Sequence, residues 1–200
     1  GSSRGVVMIP RLSAWLKPNV TPSPTPLTST PGAERSFSYW ITVRKDPKLY
    51  PNDPPIQFAE ENIFPPGYQV YISFISPQPG YLYIINESPS VGGQASSFNT
   101  LFPTPTTNEG LSQLSAGQTV KIPDHADGFL LDKEQGEEKL WLIWTADEVA
   151  ELESLKRWAN PQDAGEIKDP AQVESLRKFL ATHSATKPQF TLDETNKQTM

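Results

Sequence analysis

Cysteine is absent from this chain of 200 residues. That excludes disulfides, thiolate metal sites and a cysteine nucleophile, and it leaves the redox compartment open. Histidine is scarce as well, with only His125 and His183. A serine nucleophile needs a base and an orienting acid beside it, and the sequence has no GxSxG elbow to present one. Dense Lys/Arg clusters are missing. With 17 basic against 23 acidic side chains the net charge is −6, which argues against phosphate backbones as a main partner and against electrostatic docking on an anionic membrane. No apolar run approaches the roughly 18 to 20 residues needed to span a bilayer. The longest candidate, VVMIPRLSAWL (Val6 to Leu16), is broken by Pro10 and Arg11. Neither GxxxxGK[ST] nor GxGxxG occurs, so nucleotide binding through those loops has no support.

Proline, by contrast, is abundant. Its 21 residues are about twice ordinary usage. The segment Lys17 to Gly32, KPNVTPSPTPLTSTPG, alternates proline with threonine and serine. Such a run cannot complete a hydrogen-bonded ladder and favours extended polyproline conformations. It reads as a semi-rigid tether, with an SH3-type recognition ligand as the minor reading. Gly1 and Ser2 read as a cloning scar, so that a signal peptide or transmembrane anchor could have been cut away with the natural start.

From Ser36 the pattern acquires period two. Phe37, Tyr39, Ile41 and Val43 share one face, and Trp40, Thr42 and Arg44 the other, which is strand chemistry. Ile56 to Ala59 reads as a short edge strand after a turn-rich loop. In YQVYISFIS (Tyr68 to Ser76), Val70, Ile72 and Phe74 face inward while Gln69, Tyr71 and Ser73 face outward. Pro77 to Gly80 has turn composition, so residues 68–86 read as a hairpin. The second arm, PGYLYIINE (Pro79 to Glu87), is apolar on both faces, and so is KLWLIWT (Lys139 to Thr145). Strands of that kind sit centrally, covered on two sides. Weaker strands are predicted near Phe98 to Phe102, Gln118 to Ile122 and Phe129 to Asp132.

After Thr145 the period becomes helical. TADE (Thr145 to Glu148) has the form of a capping box, and Val149, Leu152, Leu155 and Trp158 recur at helical spacing to a stop near Asn160. Asp169 followed by Pro170 marks a second helix start, whose stripe is Val173, Leu176, Phe179 and Leu180. The predicted fold is mainly β: an immunoglobulin-like antiparallel β-sandwich with a C-terminal α-helical pair. The predicted organisation is residues 1–35 as tag remnant and linker, 36–146 as sandwich, 147–184 as a helical extension packed on it, and 185–200 as a polar tail.

One ordered series resembles a family. It runs from Gly67 through GYLYIIN (Gly80 to Asn86), LFP (Leu101 to Pro103), Asn108, SAGQTVKIP (Ser115 to Pro123) and Phe129 to GEEKLWLIWTA (Gly136 to Ala146). Over about residues 56–146 the chain resembles the bacterial family filed as domain of unknown function 4384. The resemblance implies a compact β domain that accompanies kinase or caspase-like peptidase domains or sits in envelope proteins. It implies no catalytic or ligand residues. The helical extension lies outside its pattern. In the matching stretch, Gly80 and Gly117 suit turns where a side chain would clash or φ is positive. LFP should end a strand, because Pro103 cannot donate to a ladder.

Candidate chemistry is sparse. PDHAD (Pro123 to Asp127) offers Asp124, His125 and Asp127 as metal-ligating or acid–base types, but reads as a solvated loop. Glu60–Glu61, Glu87 and Glu137–Glu138 could supply paired carboxylates for glycoside cleavage, yet most sit in turn-like sequence. Two aromatics carry more weight. Trp40 and Tyr71 fall on the less apolar faces of their strands, where a ring can stack a sugar or anchor a protein; packing under the helices or the linker is the competing fate, and Trp158 reads as helix–sheet packing. The expectation is a non-enzymatic protein-interaction or sensor module of a larger bacterial protein, leaning to the periplasmic or extracellular side. It needs no cofactor or metal, and it meets a protein partner, domains of its parent protein or a glycan. It binds no nucleic acid and inserts in no membrane. A carbohydrate- or cell-wall-binding module is the first rival and a hydrolase the second.

Overall fold

The computed structural model describes residues 5–9, 35–58, 64–90, 93, 95–124, 127–131, 138–160 and 164–183. All of the Pro/Thr-rich tether (Lys17 to Gly32) and of the polar tail lies outside the described residues, as do Glu60, Glu61, His125 and Glu137. Among the described residues ten strands form two antiparallel sheets. They are β1 (Gly5–Ile9), β2 (Ser38–Arg44), β3 (Ile56–Phe58), β4 (Gln69–Ile75), β5 (Gly80–Glu87), β6 (Phe98–Phe102), β7 (Gln113–Leu114), β8 (Thr119–Ile122), β9 (Phe129–Leu130) and β10 (Lys139–Thr145). Sheet 1 has the order β1-β10-β5-β6, with β7 also on β5; sheet 2 has the order β3-β2-β4-β8, with β9 also on β4.

Alternation decides which side chains meet. From sheet 2, Ile41, Val43, Val70, Ile72, Phe74, Val120 and Ile122 enter a shared core. Leu82, Ile84, Phe102, Leu140, Leu142 and Trp144 meet them from sheet 1. The odd-numbered set of sheet 1 points the other way. Tyr83, Ile85 and Ile143 build a second core with Val149, Leu152, Leu155, Ile167, Leu176, Phe179 and Leu180. The molecule is therefore sheet on sheet on helices. β5 and β10 are apolar on both faces because each is a wall of two cores.

The turn Pro77 to Gly80 corrects one expectation. Residues 68–86 are not a hairpin: β4 belongs to sheet 2 and β5 to sheet 1. Val70, Ile72 and Phe74 need apolar partners across the core, not beside them, and Leu82 and Ile84 supply these from the opposite sheet. The turn is an arch between layers. Gly80 is required where it lands, since a Cβ there would stand 2.5 Å from the Thr145 carbonyl oxygen and 2.7 Å from Trp144 Cζ2, and would also meet the Arg35 guanidinium. At Gly117 the requirement is a φ of +74°. β6 ends at Phe102 with Pro103 following, as LFP predicts.

The C-terminal layer is shorter than its sequence period suggests. α1 (Ala150–Glu153) is one turn that tightens into a 3-10 turn over Ser154–Trp158. The capping box does not form. Thr145 is the last residue of β10, paired with Tyr81, and its hydroxyl donates to the Asp147 carbonyl at 2.7 Å. The strand holds Thr145 too early, so Val149 occupies the cap position without a side-chain bond. α2 (Pro170–Thr182) starts as predicted. Asp169 accepts from the Ala171 amide at 2.9 Å with Pro170 in the first turn, and Leu176, Phe179 and Leu180 are buried against sheet 1.

The N-terminal segment differs from its assignment to the tether. Gly5–Ile9 lies antiparallel to β10 in the register Gly5↔Trp144 to Ile9↔Leu140. The apolar run before Pro10 is short, but β10 presents an unpaired row of backbone groups that a run of this length can satisfy.

Candidate functional site

One sheet face has no helix of the described residues packed against it: the outward side of sheet 2. Cross-strand register groups its side chains into rows. Thr42 stands opposite both Gln57 and Tyr71. Ser73 stands opposite Trp40 and Lys121, and Gln69 opposite Arg44 and Leu130. Directly opposed antiparallel residues share a face, so Trp40 and Tyr71 occupy one surface, as their alternation predicts.

Their environments differ. Trp40 is half-buried, and so are Thr42, Arg44 and Gln57. Tyr71 and Gln69 are each only 7 % exposed and Ser73 4 %, although they point away from the main core. The chain just before β9 covers them: a Cβ on Gly128 would come 3.0 Å from Tyr71 Cζ and 3.1 Å from Gln69 Cβ. Lys121 Nζ sits 4.3 Å from the centre of the Tyr71 ring, a cation–π distance. Burial pushes the Tyr71 hydroxyl above its ordinary 10.0; Arg44 opposes that and Asp127 adds to it. The Oε1 atoms of Gln57 and Gln69 are buried without a hydrogen-bond partner among the described residues. Two unsatisfied amide oxygens on one face are uncommon in folded proteins. Leu130, 69 % exposed, extends the face at its Gln69 row.

A second polar cluster joins the sheet to the helices. Tyr83 Oη donates to Glu153 Oε1 at 2.8 Å and accepts from the Val149 amide at 3.3 Å. Ser112 Oγ also donates to Glu153 Oε1, and Lys156 Nζ bonds Oε2 at 2.8 Å. Burial pushes the Glu153 carboxyl up, but the bonds from Lys156, Ser112 and Tyr83 outweigh it and hold the group below 4.5. Burial drives the Tyr83 hydroxyl far above its usual range. Every member of this set is engaged by another, so the cluster fastens α1 to sheet 1.

Two further carboxylates that the sequence singles out, Glu87 and Glu138, are similarly engaged. Glu87 accepts from Trp141 Nε1 at 3.0 Å and from Ser96 Oγ at 3.1 Å. Glu138 accepts from Asn86 Nδ2 at 2.7 Å. Asp124 and Asp127 are exposed. His183 stands at the end of α2, its Nδ1 2.6 Å from the Phe179 carbonyl and its ring stacked on Phe179 at 4.2 Å. Trp158 packs on the helix-side core and donates to Gln172 Oε1 at 2.6 Å. Among the described residues no group of three or more His, Asp or Glu could hold a metal ion, and no described helix is long and apolar enough to cross a membrane.

Alternation within one strand could find Trp40 and Tyr71, but not the neighbours that define the surface. Gln57, Lys121 and Gln69 join them only through pairing register, which the sequence of any one strand does not carry. No family model, curated protein or solved structure matches the chain.

Proposed function

We propose that the chain is a non-catalytic interaction module and that the outward face of sheet 2 is its contact surface. The observation that carries the reading is half-buried Trp40 beside Arg44 and the exposed Lys121 on the sheet face that no described helix covers, with buried Tyr71 packed beneath the Lys121 ammonium as support for that surface. Aromatic and cationic side chains of this kind anchor protein partners. The engagement of Glu87, Glu138 and Glu153 in internal bonds supports a non-catalytic role. The resemblance of residues 56–146 to the bacterial family of domain of unknown function 4384 supports an accessory place in a larger bacterial protein, on the outer side of the envelope.

The test compares three baits: the chain itself, Trp40→Ala, and Lys178→Ala on the far side of α2. Captured envelope proteins should be lost with Trp40→Ala and kept with Lys178→Ala. Equal retention by all three baits would remove sheet 2 as the interface. A second reading follows from the same rows, because aromatic rings beside amide oxygens suit a sugar's apolar face and hydroxyls. Retention on immobilised polysaccharide that disappears with Trp40→Ala, without a protein partner, would assign the face to glycans.

A further inference from the structure

β10 is filled on both faces by its own domain. Leu140, Leu142 and Trp144 enter the inter-sheet core and Ile143 the helix-side core, while β5 takes one edge. Only the other edge remains, and β1 satisfies it along five register positions. Among the described strands β1 pairs only with β10.

Residues 10–37, six of them proline, separate β1 from β2. At about 3.1 Å per residue a proline-rich connector of that length reaches up to roughly 85 Å. A domain of this size is only about 40 Å across. The ladder on β10 is therefore indifferent to which copy supplies the strand. A tethered strand competes at an effective concentration on the order of millimolar, so exchange sets in where copies are crowded to that level or where the connector is shortened.

We propose that the edge of β10 that β1 covers is also an acceptor site for the Gly5–Ile9 strand of a second copy of this chain. Reciprocal exchange closes a two-fold dimer, each chain giving β1 and receiving it. The contact adds a strand by main-chain hydrogen bonds, as in β-augmentation.

The chain has no cysteine, so introduced thiols report cleanly. Met8 stands opposite Trp141. A Met8→Cys chain and a Trp141→Cys chain are mixed at about 1 mM and oxidised mildly. A mixed disulfide several-fold in excess of either homodimer is expected; a statistical ratio of the three products would overturn the proposal. Trp141→Cys also removes the bond to Glu87, so a second variant leaves β10 intact. Deleting residues 11–34 keeps four residues between Ile9 and Ser38. Ile9 sits at the Leu140 end of β10, and Ser38 lies opposite Ile75 on the other sheet, at the strands' far end. Four residues span at most about 18 Å and would have to pass straight through the core. Light scattering should find this variant dimeric at micromolar concentration and the full chain monomeric. A monomeric deletion variant would show that the edge does not take a strand in trans.

Discussion

Leu142 and Ile143 are neighbours on β10, each fully buried, and each belongs to a different core. If sheet 1 is a shared wall, truncating either residue to alanine should destabilise the whole molecule. Burial of such a side chain is worth about 1.5–3 kcal/mol. A cavity term adds to this, because β10 is held on both edges by β1 and β5 and cannot collapse into the hole. Leu142→Ala and Ile143→Ala should each cost about 3–4 kcal/mol, inside the range of about 2–5 kcal/mol for such changes. A control at Thr119, exposed on β8, should cost less than about 1 kcal/mol. The assay is urea unfolding followed by fluorescence and circular dichroism, with the slope m unchanged across the three variants. In thermal melts the two core variants should lose roughly 6–12 °C, each in a single transition. An Ile143→Ala cost below about 1 kcal/mol, or a separate early transition for the helices alone, would refute the shared wall and leave the C-terminal layer as an appendage.

Glu153 has a folded-state pKa below 4.5. Its contribution is therefore present above the unfolded value and lost as pH falls through the folded one. Melting temperature should drop on acidification below about 4.5, and Glu153→Gln should flatten that part of the profile. Burial pushes the Tyr39 hydroxyl up to about 12, and Tyr71 and Tyr83 are raised by burial too. A raised value means stability held below the unfolded pKa and lost as pH rises. Absorbance at roughly 295 nm, the phenolate band, should show these three ionising above pH 10; Tyr39→Phe should remove the part of the curve near 12, with Tyr83 ionising later still. Gly80→Ala should cost more than about 2 kcal/mol, since its Cβ would press on the Thr145 carbonyl and the buried Trp144 ring. A change under about 0.5 kcal/mol in urea unfolding would show that the arch shifts freely.

Local alternation made much of this fold legible. Period two assigned Ile41, Val43, Val70, Ile72 and Phe74 to one core, and two-faced apolarity marked β5 and β10 as central before any partner was known. What alternation cannot state is the strand across the turn. A proline-rich turn serves a hairpin or an arch equally well, and Gly80 distinguishes them only once Trp144 and Thr145 are beside it. The capping box failed for a related reason. TADE carries the right residue types, but pairing with Tyr81 holds Thr145 in the strand, and tertiary pairing outweighs a local cap. Trp40 and Tyr71 were legible as one face, whereas the chain over Tyr71 was not, because Gly128 arrives from a strand more than fifty residues later.

The sheet edges show why β10, among the described strands, is covered by a strand held on a long connector. β3 is three residues long and follows Pro54 and Pro55, and brevity with proline blunts an edge. β8 carries Lys121 and runs into Pro123, a charge and a stop of the same kind. β6 is closed from within the domain: the Thr100 amide donates to the Gly165 carbonyl at 2.8 Å and the Ile167 amide to the Phe98 carbonyl at 2.8 Å. None of these devices is open to KLWLIWT. A charge or proline inside β10 would sit in one of two cores, and its length is fixed by seven pairs with β5. An edge that cannot be blunted must be covered. A strand on a long connector covers it without constraining the rest of the domain, which is also the arrangement that lets one copy's strand serve another.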